Sequence, residues 1–324
     1  MTVRWGIIGC GDVARKRVAG AIQSDPNSKL IAVCRRDSAK LREFADAFDV
    51  SVATASADEL ILSPEIDAIY IATPVNLHCP QTIAAAAAGK HVLVEKPMAM
   101  STAECDEMIT ACAEADVRLG VAYYRPFYPV IHRMLELVEQ GEIGRVLSVS
   151  ATTCTPFAID PGEDGYWRVL PEAGGGGALM DIGSHRLDLF LRMFGPVADV
   201  KAQCGTVAAN YSADDVATLA LRFESGIHGV LHCCFGPTTD PDEFAILGTK
   251  GRLVSRPLNS GELVIELGRE QIVEQHSPSA NFNSPLIADF SVAILEERSP
   301  FVTGEAGRDV NRVMEQAYAS ARRS

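Results

Sequence analysis

Four stretches of the chain carry residue types at spacings that could do chemistry. Gly9-Cys10-Gly11-Asp12-Val13-Ala14 directly follows an apolar, β-branched run and opens a helical pattern. Gly9 suits a tight turn, Gly11 lets a pyrophosphate approach the backbone at a helix N-terminus, and Ala14 takes the third small position, where helix and strand pack. Gly9, Cys10, Gly11, Asp12 and Val13 are therefore the expected dinucleotide cradle. At the end of the next strand, Arg35 stands where an acidic residue would hold a ribose 2′-hydroxyl, with Arg36 beside it and Asp37 beyond. Paired guanidiniums suit the 2′-phosphate of NADP. NADP(H) is expected to be preferred, with NAD(H) the alternative if Asp37 reads the ribose.

The third stretch is Glu95-Lys96-Pro97, preceded by Thr73-Pro74-Val-Asn76-Leu-His78, each at the end of an apolar strand pattern. Ligands of doubly wound sheets bind outside the carboxyl ends of the strands. Thr73, Pro74, Asn76, His78, Glu95 and Lys96 are thus expected at the cofactor, and Lys96 also at the substrate. His78 by itself reads as a loop or helix-capping histidine rather than a catalyst. The fourth stretch runs from Gly174 to Asp188 and sets Asp181 and His185 four residues apart after four glycines. On a helix that spacing shares a face, and a carboxylate one turn from an imidazole can orient it and raise its pKa for proton transfer. The glycines would let the backbone approach a ligand.

These stretches need elements to hold them. Up to residue 122, short β-branched runs alternate with helical patterns, which predicts a doubly wound parallel sheet. Ser101-Thr-Ala-Glu104 has the form of a capping box. From residue 123 onward, strands succeed one another at Asp199–Val207, Val216–Phe223, Ile227–Phe235, Glu243–Gly248, Arg252–Ser255 and Glu262–Glu266, with a helical stretch from about Ser284. The expectation is an α/β chain: an N-terminal Rossmann domain over 1–122, then an α+β domain over 123–324 with a mainly antiparallel open sheet for substrate binding and oligomerisation. The run Ile227–Phe235 carries apolar residues on both faces, which predicts a partner subunit on the open face.

Composition sets outer bounds. With 29 basic and 42 acidic residues the net charge is −13, which argues against nucleic-acid or anionic-membrane partners. No run of 18 apolar residues exists, and the start has too short an apolar stretch for a signal peptide. The nine cysteines are scattered without a Cys-x-x-Cys pair, which fits reduced thiols in a cytoplasmic protein and predicts no metal site.

Taken in order, these stretches resemble the glucose–fructose oxidoreductase/inositol dehydrogenase (Gfo/Idh/MocA) family. The likeness is most specific in Ala-Gly-Lys-His-Val-Leu-Val-Glu95-Lys96-Pro97, in Gly-Gly-Gly-Ala-Leu-Met-Asp181-Ile-Gly-Ser-His185 and in Thr303-Gly-Glu-Ala-Gly307. Gly165-Tyr-Trp167-Arg168 looks most like the sugar-reducing branch that contains 1,5-anhydro-D-fructose reductase. The resemblance implies an NAD(P)-dependent oxidoreductase acting on CH–OH groups of a sugar-like or cyclic polyol, or on the matching keto-sugar. It implies Lys96, Asp181 and His185 around the reacting carbon, a homodimer or homotetramer, and tolerance of a cis Lys96–Pro97 bond. Tyr123-Tyr-Arg125-Pro-Phe matches loosely and offers Arg125 as a substrate contact. Trp167 and Arg168 are expected to border the pocket. Two other functions fit such a fold: a glycoside hydrolase that retains its NAD, and a non-catalytic dinucleotide sensor.

Overall fold

The computed structural model describes residues 2–236 and 238–323. Its first unit takes the chain through Tyr124 together with Ala280–Asn311, and its second takes Arg125–Ser279 with the residues from Arg312 onward. The expected division at 122/123 thus leaves out a return. The helix Ser284–Leu295 packs with the first unit, because its apolar face supplies the cover that the first sheet needs. Phe290 meets Trp5 with ring centroids 5.6 Å apart, and Ser291 Oγ accepts from the Trp5 indole at 3.3 Å.

The first unit holds a six-stranded sheet in the order β3-β2-β1-β4-β5-β6. Its strands are β1 Val3–Ile8, β2 Ser28–Cys34, β3 Val52–Thr54, β4 Ala68–Ile71, β5 His91–Val94 and β6 Leu119–Val121. Every pairing is parallel. All four residues of β4 are buried, as a strand covered by helices on both faces requires. The order reverses between β1 and β4, so the loops after these strands flank the crevice where such sheets bind ligands. Ser101 caps the helix Thr102–Glu114 by accepting from the Glu104 amide at 3.1 Å. Glu104 returns a bond to the Met100 amide at 3.0 Å rather than to that of Ser101.

The second unit holds an eight-stranded sheet, order β14-β13-β12-β11-β7-β10-β9-β8. It comprises β7 Val146–Thr155, β8 Val197–Gly205, β9 Val216–Phe223, β10 His228–Phe235, β11 Asp242–Gly248, β12 Gly251–Ser255, β13 Glu262–Leu267 and β14 Glu270–Gln275. Only β7 and β10 pair in parallel; the remaining pairings are antiparallel. The helix Ser184–Phe194 packs on one face through Phe190, which meets Phe223 and Phe244 at centroid distances of 6.4 and 5.6 Å. Along β10, Gly229, Leu231, Cys233 and Phe235 are buried while His228, Val230, His232 and Cys234 face outward. No helix among the described residues is long and apolar enough to cross a membrane. All nine cysteines are free thiols.

Candidate active-site elements and family

The glycine-rich turn after β1 is held by sterics. Gly9 has φ +93°, and a Cβ there would stand 2.5 Å from the Ala72 carbonyl oxygen at the end of β4. Any larger residue would push the two strand ends apart. A Cβ on Gly11 meets nothing within 4 Å, so its backbone faces open space. Asp12 and Val13 begin the helical run, whose first N–H groups lack intrahelical partners and favour an anion. That run is wound as a π-helix over Ala14–Val18 before continuing as Ala19–Ser24. Cys10 turns its thiol inward, where burial pushes it up to about 12, so only its backbone is available to a ligand.

The arginine pair and Asp37 separate clearly. The Arg35 guanidinium donates to the Cys10 carbonyl, which brings it beside the glycine-rich turn. Arg36 is exposed. Asp37 caps the helix Ser38–Ala47, accepting from the amides of Ala39 and Lys40 at 3.0 and 3.1 Å. Those bonds hold its carboxyl below its usual pKa.

The structure corrects the expectation for His78. Its ring is fully buried, with Nε2 2.9 Å from the Thr73 carbonyl and Nδ1 3.1 Å from that of Pro97. Burial lowers its pKa to about 4, so it stays neutral. A cofactor has no access to this ring, and His78 instead ties the loop after β4 to the loop after β5. Thr73, Pro74 and Asn76 keep part of their surface exposed on that loop. Glu95 likewise turns inward: it accepts from the Tyr70 hydroxyl at 2.7 Å and from the Lys96 amide at 3.1 Å. Burial raises its pKa. Its role here is to brace the turn that carries Lys96, whose side chain is half-buried and whose bond to Pro97 is cis.

In the second unit, Asp181 lies in a π-helical turn, Leu179–Gly183, that runs directly into the helix beginning at Ser184 and carrying His185. The expected α-helical i, i+4 pairing is therefore widened at its first turn. Both glycine-rich helix starts open on π-turns, a feature often found at functional sites. Asp181 keeps about a fifth of its side chain exposed, and the Arg168 guanidinium stands 3.9 Å from its carboxylate. Arg168 also lies 5.5 Å over the Trp167 ring, so Trp167, Arg168 and Asp181 form one chain of neighbours. Arg125, placed in a short turn at Arg125–Phe127, directs its charge toward Asp188 on the His185 helix.

The glycines before Asp181 do something other than admit a ligand. A Cβ on Gly177 would lie 1.9 Å from the Asp214 carbonyl, and one on Gly176 would lie 2.2 Å from the Tyr318 hydroxyl. They let the chain's own backbone close in. Asp214 then anchors the helix start, accepting from the Gly177 and Leu179 amides at 2.9 Å each and from the Tyr318 hydroxyl at 2.7 Å. Asp214 and Tyr318 carry no local motif that could have revealed this role.

Residues 3–123 match the family model described as an oxidoreductase family with an NAD-binding Rossmann fold, and residues 131–254 match the GFO/IDH/MocA C-terminal domain. The chain belongs to the Gfo/Idh/MocA oxidoreductase family. It is 30% identical to a 1,5-anhydro-D-fructose reductase of Ensifer adhaerens over 94% of its own length and 92% of the relative's. It is 28% identical to a D-xylose 1-dehydrogenase (NADP(+)) of Haloferax volcanii, with 98% and 97% covered. An aldose-aldose oxidoreductase from Caulobacter crescentus, solved with glycerol, superposes with a TM-score of 0.91 at 29% identity, covering 100% of this chain and 98% of that one.

Proposed function

We propose that this family member transfers hydride between the nicotinamide C4 of NADP(H) and a sugar-like polyol or keto-sugar. The observation that carries this reading is the retention of Lys96 at the carboxyl end of β5, with Asp181 and His185 in one helical run of a chain of this family. A dinucleotide sensor has no need of acid–base groups. The glycine-rich turn suits the pyrophosphate, since Gly9 permits its tight closure and Gly11 leaves open space beside its backbone. When bound, the nicotinamide supplies or accepts the hydride. Lys96 would polarise the substrate oxygen with its ammonium charge. His185 would hold or take the hydroxyl proton, and Asp181 would orient the imidazole. Arg125, Trp167 and Arg168 are proposed substrate contacts, with Arg168 donating to hydroxyls. The relatives named for 1,5-anhydro-D-fructose and D-xylose support a monosaccharide-like substrate.

The preference for NADP rests on Asp37. Its carboxylate is engaged by the Ala39 and Lys40 amides, whereas Arg35 reaches the glycine-rich turn. A screen of aldoses, keto-sugars, inositols and dihydrodiols at 340 nm, with both cofactors in both directions, tests substrate and cofactor together. NADP is expected to be better by roughly ten- to a hundred-fold in kcat/KM, the worth of a charged hydrogen bond. Arg35→Asp should reverse that order, and Arg36→Ala should weaken NADP alone. Equal or better efficiency with NAD in the parent enzyme overturns the assignment, and cleavage of a glycoside with no net change in the cofactor at 340 nm points instead to the hydrolase.

We also propose that the outward face of the second unit's sheet packs against a second copy. Val230 on β10 is 47% exposed and Leu247 on β11 is 44% exposed on that face. Light scattering at micromolar concentration should give a dimer or larger assembly, and a monomer mass would contradict it.

A further inference from the structure

On the outward face of the second unit, β7 and β10 run parallel with Cys154 directly opposite Cys234 and Thr152 opposite His232. The sulfur atoms of Cys154 and Cys234 and an imidazole nitrogen of His232 all lie within 4.8 Å of one another. Cys154 is buried, while His232 and Cys234 are partly exposed, so the cluster is roofed on one side and open on the other. Thr218 on β9 stands opposite His232, with its hydroxyl oxygen 2.9 Å from Nδ1, and fixes the ring.

We propose that Cys154, His232 and Cys234 form a binding site for one divalent, thiol-seeking cation of the zinc class. Two thiolates and an imidazole are a common donor set for such an ion, and a tetrahedral zinc site spaces its ligand atoms by about 3.7 Å. The three atoms need contract by only about an ångström to reach that spacing, within the range of small side-chain rotations. The fourth position lies on the open side of the cluster and takes a water. Charge balances: each thiol gives its proton to solvent, and two thiolates neutralise the dication while His232 binds as the neutral imidazole. The site escapes sequence spacing rules because Cys154 comes from one strand while His232 and Cys234 alternate along another. None of the three belongs to the proposed catalytic or cofactor residues.

The test uses the full-length protein, reduced with a phosphine, stripped with a chelator and titrated with Cd²⁺ at pH 8. A thiolate-to-metal charge-transfer band should rise to saturation at one ion per chain, with two protons released per ion and displacement by Zn²⁺. The double variant Cys154→Ser/Cys234→Ser should lose the band, while Cys112→Ala, in the other unit, should keep it. His232→Ala should retain a band but bind about tenfold more weakly or worse. Absence of uptake by the parent, or an unchanged band in the double variant, overturns the site. Should the double variant fail to fold, unaltered affinity in His232→Ala overturns it alone.

Discussion

Replacing His185 with alanine is expected to lower kcat by about 10²–10⁴-fold, the usual contribution of a positioned acid–base group. Lys96→Ala should fall at least as far, because it removes the charge proposed to polarise the substrate oxygen. Asp181→Asn should reduce kcat less than His185→Ala, since it withdraws only the carboxylate proposed to orient the imidazole and leaves the imidazole in place. Steady-state kinetics on variants whose circular dichroism and thermal unfolding match the parent provide the reading. Near-normal turnover in both His185→Ala and Lys96→Ala would remove these residues from the chemistry.

The second large effect concerns Asp188, one turn beyond His185. It is buried, and desolvation raises its pKa to about 7 against the opposing pull of Arg192 and Arg125. In the unfolded chain its proton leaves near 3.8. Between those values the native state binds more protons than the unfolded state, so stability falls as pH rises from about 4 to about 7. Asp188→Asn abolishes that term. The stability difference between variant and parent should therefore grow in the variant's favour across this window, by up to roughly 4 kcal/mol at 1.36 kcal/mol per pH unit. Loss of the partner for Arg125 and Arg192 would reduce the gain but leave its pH dependence. Urea unfolding of both proteins at pH 4, 5.5 and 7 reads this directly; parallel curves would show that Asp188 is charged in the native state throughout.

Much of the first unit was legible because its signals are local. The β-branched runs, the glycine-rich turn and the Ser101 cap each announce an element within a few residues. The antiparallel strands of the second unit were legible for the same reason, with ends within about two residues. What the sequence hid depends on contacts made far along the chain. β7 was missed: its outward Ser148, Ser150 and Thr152 look loop-like until β10 and β11 pair on either side. β14 is an exposed edge strand of Glu270–Gln275 whose charges mask its periodicity. His78 and Glu95 were read as cofactor contacts because they follow strand ends, but position along the chain does not say which way a side chain turns. The glycines before Asp181 looked like room for a ligand, and only the approach of Asp214 and Tyr318 shows what fills that room.

The return of residues 280–311 to the first unit bears on how the protein is made. Trp5 finds its indole partner in Ser291, Val121 donates its amide to the Val302 carbonyl at 3.2 Å, and Asn311 donates to the Ala99 carbonyl at 2.7 Å. A ribosome releases β1 through β6 long before any of those partners has been synthesised. The nascent sheet must therefore wait with part of its apolar face uncovered while Arg125–Ser279 of the second unit is translated, so the first domain to begin is closed only by a segment made after most of the second.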